Sequence, residues 1–184
     1  AHFATSEQEL LGLPEDVVTA ARAAAEADGK PGWKFTLHMP SYLPVLQYAD
    51  SRRLRAALYR AYATRAAEFG APEMDNTPLI RRILELRREE AELLGYASFA
   101  EVSLVPKMAE SVPQVLDFLR DLAVKARPFA ERDIADLRAF ARKELGIDEM
   151  EAWDVAYVSE KLLQARYAFS EQEVKQYFTE DRVL

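Results

Sequence analysis

Cysteine is missing from the 184 residues, which excludes disulfides and thiolate metal sites. Histidine is nearly missing: His2 and His38 cannot supply a structural zinc site, which takes about four ligands, commonly His or Cys. Glu-x-x-His pairs and phosphate-cradling glycine-rich loops are absent too, which removes di-iron bundle and nucleotide-loop chemistry. With a formal net charge of −7, the chain lacks the positive footprint that nucleic acid or an anionic membrane surface requires. No apolar run reaches the ~18 residues of a spanning helix. No basic-then-apolar leader stands at the start, where Ala1-His2-Phe3 reads as a cut end. The lack of cysteine fits a reducing cytoplasm, the expected location.

Hydrophobic residues at 49%, charged residues at 30% and only six glycines suit a well-solvated helical protein with a core of its own. The expected fold is mainly α, a multi-helix bundle or array with at most one short strand, read as a single helical segment over residues 1–184. Residues 5–11 read as the tail of a helix ended by Gly12. Pro14, Glu15 and Asp16 open a helix that runs through residues 17–27 and stops at Asp28-Gly29. The one credible strand lies in 33–37. Pro40 closes it, and residues 41–49 form a short helix with Pro44 in its first turn. Asp50 or Ser51 caps the next helix, whose apolar period includes Leu54, Leu58, Ala61, Tyr62 and Phe69.

After a loop, Asn76 or Thr77 caps a helix over 78–94 with Leu79, Ile83, Leu86, Leu93 and Leu94 as its buried stripe. A shorter helix covers 99–105. Ser111-Val-Pro-Gln114 is a capping-box pattern that opens the longest helical run, down to Gly146. Pro128 predicts a kink or break in it, because its ring removes the hydrogen bond to Val124. Residues 152–167 form the next helix, and Ser170-Glu-Gln-Glu173 caps a last one ending near Phe178.

Chemistry needs a nucleophile, a base or a metal cage gathered in one place. His38, beside a proline, reads as a loop side chain, and His2 lies in a frayed start. Arg52, Arg53, Arg55, Arg60 and Arg65 fall in a stretch without an acid, which fits either a wall for acidic ligands or a helix packed on acidic neighbours. The second reading is favoured in a chain this acidic. Tyr42, Tyr48, Tyr59 and Tyr62 could line a channel, but their helical spacing favours core and rim positions. Trp153, with Asp154 and Tyr157, reads as a buried aromatic anchor. No catalytic, metal-ligating or cofactor-binding residue is assigned.

Several stretches, in order, resemble the thimet oligopeptidase family of zinc metallopeptidases, and its oligopeptidase A branch in particular. They are Thr36-Leu-His-Met-Pro-Ser-Tyr-Leu-Pro-Val-Leu-Gln-Tyr48, Leu54-Arg55, Tyr59-Arg-Ala-Tyr-Ala-Thr-Arg-Ala66, Ile83-Leu-Glu-Leu-Arg87, Leu93-Leu-Gly-Tyr96 and Ser103-Leu-Val-Pro-Lys-Met-Ala109. Val115-Leu-Asp-Phe-Leu119, Trp153-Asp-Val-Ala-Tyr157, Glu160-Lys161 and Tyr177-Phe178 continue the match. Val158 stands where the family has a second tyrosine. The resemblance implies a helical zinc metalloendopeptidase with a deep channel that admits short peptides. Its His-Glu-x-x-His zinc helix is not in this sequence.

The chain is therefore expected to be an internal channel-wall portion of such an enzyme. Zinc and peptide would belong to the parent, the remaining catalytic half would be its partner, and the piece alone would be inactive. Its candidate docking faces are Val155, Val158 and Leu162 on the late helix, and the aromatic rim at Tyr42 and Tyr48. The alternative is a free-standing helical interaction module, without nucleic-acid or membrane partners in either case.

Overall fold

The computed structural model describes residues 2–4, 6–168, 174, 177 and 178. They fall into two compact units: Ala1–Ala63 with Ala135–Leu184, and Thr64–Ile134.

The first unit begins with a strand, β1 (His2–Ala4), paired antiparallel with β2 (Trp33–Phe35), so that His2 faces Phe35 and Ala4 faces Trp33. The expected strand is β2. Its three residues alternate inward, outward and inward, and the neighbour it needs is supplied by the first residues of the chain. His2 is therefore a ladder residue and not part of a frayed start. Between the strands, a 3-10 turn at Glu7–Leu10 is capped by Ser6, where a helix tail was expected. Then α1 (Glu15–Ala27) follows the bounds set by Pro14 and Asp28-Gly29.

The helix α2 (Met39–Tyr48) starts two residues earlier than expected, with Pro40 in its first turn. Pro44 consequently lies inside it and leaves the Pro40 carbonyl without a helical donor. Ser51, not Asp50, caps α3 (Arg52–Ala63): its Oγ accepts from the Leu54 amide at 3.3 Å. The core joins both strands to these helices through Ala4, Phe35, Tyr42, Val45, Leu54 and Leu58. Tyr42 stacks on Tyr62 with ring centres 4.4 Å apart. Later in the chain, a 3-10 turn at Ala152–Asp154 leads into α7 (Val155–Tyr167), which packs on α2.

The second unit holds α4 (Thr77–Leu93), α5 (Phe99–Leu104) and the first part of α6 (Val112–Leu145). α3 stops at Ala63, short of Phe69, because Ala66 takes a left-handed conformation with φ 51°. Asn76 takes the N-cap position of α4 as expected but makes no side-chain cap bond; Asp75, one residue earlier, accepts from the Thr77 amide at 2.8 Å. The helix continues unbroken through Pro128 in α6.

The largest departure is burial. Leu79, Ile83, Leu86, Leu93 and Leu94 are all exposed, as are Leu119, Leu122 and Phe129 of α6. The stripe expected to be buried is exposed: within the second unit no element buries these residues. The helix expected over residues 170–178 lies, for the most part, outside the described residues.

Candidate functional site

The concentration of charge inside the first unit is built on Asp154, which is fully buried. It sits at the end of the 3-10 turn before α7, where its Oδ2 accepts from the Glu151 amide at 3.0 Å. A buried carboxylate is tolerated only with partners, and α3 supplies them. Arg55 donates Nη2 to Asp154 Oδ1 at 2.7 Å, and Arg52 donates Nη2 to Oδ2 at 2.7 Å. The spacing of these arginines by three puts them on one side of α3. Burial alone would push the Asp154 carboxyl up; the hydrogen bonds from Arg52 and Arg55 outweigh it and hold the group below the usual carboxylate range.

Arg55 is the second half of the clamp. Itself 1% exposed, it also donates Nη1 to the Ala49 carbonyl at 2.6 Å and to the Asp50 carbonyl at 3.3 Å. These carbonyls close the C-terminal end of α2, where a cation is favoured. Its guanidinium lies 4.0 Å from the Tyr157 ring centre, and its buried Nε has no hydrogen-bond partner. One side chain thus ties the end of α2, the body of α3 and the start of α7.

At the rim, Tyr157 donates its hydroxyl to Asp50 Oδ1 at 2.8 Å, and Lys161 approaches the same oxygen at 3.7 Å. Burial, then the hydrogen bond to and charge of Asp50, push the Tyr157 hydroxyl up to about 12. Asp154 stays ionised and Tyr157 stays protonated at neutral pH. Neither is poised to exchange a proton with a substrate, and the cluster acts as an electrostatic joint.

At least three of the five arginines meet acids, as favoured: Arg52 and Arg55 on Asp154, and the exposed Arg53 on Glu9 at 3.4 Å. His38 is exposed at the N-cap of α2. Trp153 is only partly buried, with its ring 6.2 Å from that of Tyr59 and its indole N–H buried without a partner. It is a partial anchor and not a core residue. Tyr42, Tyr48 and Val158 are buried inside the first unit, so they cannot be the docking faces expected of them. An open groove of about 570 Å³ lined by Glu7, Leu10, Val18, Thr19, Arg22 and Trp33 holds a carboxylate and a hydroxyl but no histidine.

The zinc implied by the resemblance does not fit the residues present. Among the described residues no three His, Cys, Asp or Glu side chains are grouped to hold a metal ion. Among them, too, no helix is long and apolar enough to cross a membrane.

The pairings that make the joint link residues about a hundred positions apart, Arg55 with Asp154 and Asp50 with Tyr157. No local pattern encodes them. The available signals were an acid-free run of arginines and an isolated Trp-Asp on a helix start.

A profile of peptidase family M3 matches residues 45–184, the part of the chain that contains all members of the joint. Oligopeptidase A of Salmonella typhimurium (strain LT2) is 49% identical over 182 residues, covering 98% of this chain and 27% of that protein. Oligopeptidase A of Escherichia coli (strain K12) gives the same figures. A probable cytosolic oligopeptidase A of Arabidopsis thaliana is 38% identical over 192 residues, covering 98% of this chain and 26% of its own length. The chain spans about a quarter of the length of these curated relatives. With the family profile matched over most of its length, the chain belongs to peptidase family M3.

Proposed function

We propose that the chain is a helical, channel-wall portion of a zinc-dependent oligopeptidase that hydrolyses short peptides in the cytoplasm. The observation that carries this is identity of 49% spread over 98% of the chain to proteins named oligopeptidase A. The chain contributes architecture and no reacting group. Its buried ionic joint fixes three helices, and the donors for zinc and the general base belong to parts of the parent polypeptide outside these residues. Its acidic surface is consistent with peptide substrates and with an absence of nucleic-acid and membrane partners.

The isolated chain is expected to retain no stoichiometric zinc after dialysis against a weak chelator, and to leave a quenched fluorescent peptide uncut. Retained zinc, or turnover that copurifies with the chain, would place the chemistry here and overturn the division of labour.

A further inference from the structure

Between Thr64 and Ile134, all of which are described, Ala91 is the one buried residue. A segment of this length normally folds around a core of its own, and this one has none. The apolar residues are present and grouped. On α4, Leu79, Ile83 and Leu86 recur at helical spacing and are 61%, 46% and 46% exposed. On α6, Leu119, Leu122 and Phe129 do the same and are 53%, 47% and 62% exposed.

The charges that border and oppose these faces on the same helices are largely paired. On α4, Arg82 pairs with Glu85 and Glu89, and Arg88 with Glu92. On α6, Arg120 pairs with Asp117, Lys125 with Asp121, and Arg127 with Glu131. The polar faces carry matched charge at one-turn spacing and need no partner. Each apolar face is about half exposed along its length, an arrangement that marks a contact surface.

We propose that the apolar faces of α4 and of the first part of α6 are intramolecular docking surfaces, covered by the portion of a longer M3 polypeptide outside these 184 residues. This rests on the reading of the chain as part of an oligopeptidase. The relatives carry this segment, α4 to α6 included, inside chains of which it is 27%, so most of each molecule is available to supply the missing half of the core. The occupant is mainly apolar, because most charges bordering the faces are paired, with Glu90 on the face of Leu79, Ile83 and Leu86, outside those pairs, as an acid it would meet. A second copy of this chain is the competing occupant, and the test separates the two.

Because the chain has no cysteine, single reporters can be introduced cleanly. Ile83→Cys and Phe118→Cys sit on the apolar faces, Phe118 being 62% exposed and one turn before Leu122; Arg88→Cys and Arg120→Cys on the polar faces are the controls. Each is made in the isolated chain and in a chimera, where the chain replaces the matched segment of Escherichia coli oligopeptidase A. Maleimide labelling is followed by mass spectrometry of the individual peptides.

All four should label at similar rates in the dilute isolated chain. In the chimera, Ile83→Cys and Phe118→Cys should slow by at least about tenfold relative to the controls, the ratio set by ~1.4 kcal/mol of opening free energy. Equal labelling in the chimera overturns the proposal, and so does protection that already grows with concentration in the isolated chain. Hydrogen exchange across α4 and α6 in the unsubstituted chain and chimera gives the same answer if a variant fails to fold. Peptide turnover by the chimera reports separately on the oligopeptidase reading: a protected but inactive chimera keeps the surface and removes that reading.

Discussion

Replacing Asp154 by alanine leaves Arg55 buried with its charge unmatched, and Arg52 without its main acceptor. Breaking a buried pair from one side costs about 3–5 kcal/mol, so Asp154→Ala should lower the urea midpoint severely. Arg53→Ala is the contrast. Its bond to Glu9 is 3.4 Å long and the arginine is 86% exposed, a pair of the kind that contributes about 0–1 kcal/mol. Similar losses for the two variants would show that the joint is not what holds α3 and α7.

The pH dependence follows from the same residues. In the unfolded chain an aspartate takes up its proton near pH ~3.9, whereas Asp154 holds out to lower pH in the fold. Its contribution is complete above that range and is lost as pH falls. Tyr157 works at the other end: an unfolded tyrosine loses its proton near pH ~10, and the folded one near about 12. In that window the unfolded state binds fewer protons, so stability falls as pH rises. Tyr157→Phe should cost about 0.5–1.5 kcal/mol at neutral pH and flatten the alkaline fall. Urea melts at pH 8, 10 and 11.5 measure both, and an unchanged alkaline slope in Tyr157→Phe would contradict the bond to Asp50.

Elements were legible where their signals are local. α1 begins and ends at its proline, acids and glycine, and α5 falls within the short helix expected over 99–105. Legibility failed where a distant contact decides. Nothing around Ala66 announces a left-handed alanine, so α3 was extended past its true end. The joint is legible as a row of arginines that wants acidic neighbours and as an isolated Trp-Asp, but not as a pairing, since Asp154 lies 99 residues beyond Arg55. The stripe on α4 was read with the right period and the wrong environment, because periodicity names a face and cannot name what covers it.

The turn before α1 carries an element-scale prediction. Gly12 has φ 85°, and a side-chain carbon there would fall on the Tyr48 carbonyl and 2.9 Å from Asp50 Cγ. The backbone joins the two segments as well, the Asp50 amide donating to the Leu11 carbonyl at 2.8 Å. Gly12→Ala therefore combines left-handed strain of about 1–2 kcal/mol with displacement of Asp50. It should lower the melting temperature and weaken the Tyr157 contact, whereas Gly29→Ala meets open space and carries only the strain. Equal effects of the two would mean that the Leu11–Gly12 turn does not position Asp50.

For the whole molecule, the first unit owns a core and an internal ionic joint, and the second owns paired polar faces with bare apolar ones. The chain belongs to peptidase family M3, and the proposed role makes both units parts of a larger helical enzyme. The most direct test is peptide turnover by the chimera with Escherichia coli oligopeptidase A. The proposed role predicts that the chimera binds zinc and cleaves a short quenched peptide within about tenfold of the parent, a difference of ~1.4 kcal/mol in barrier height. The isolated chain should do neither. A chimera that folds and holds zinc yet cleaves no peptide would contradict the account.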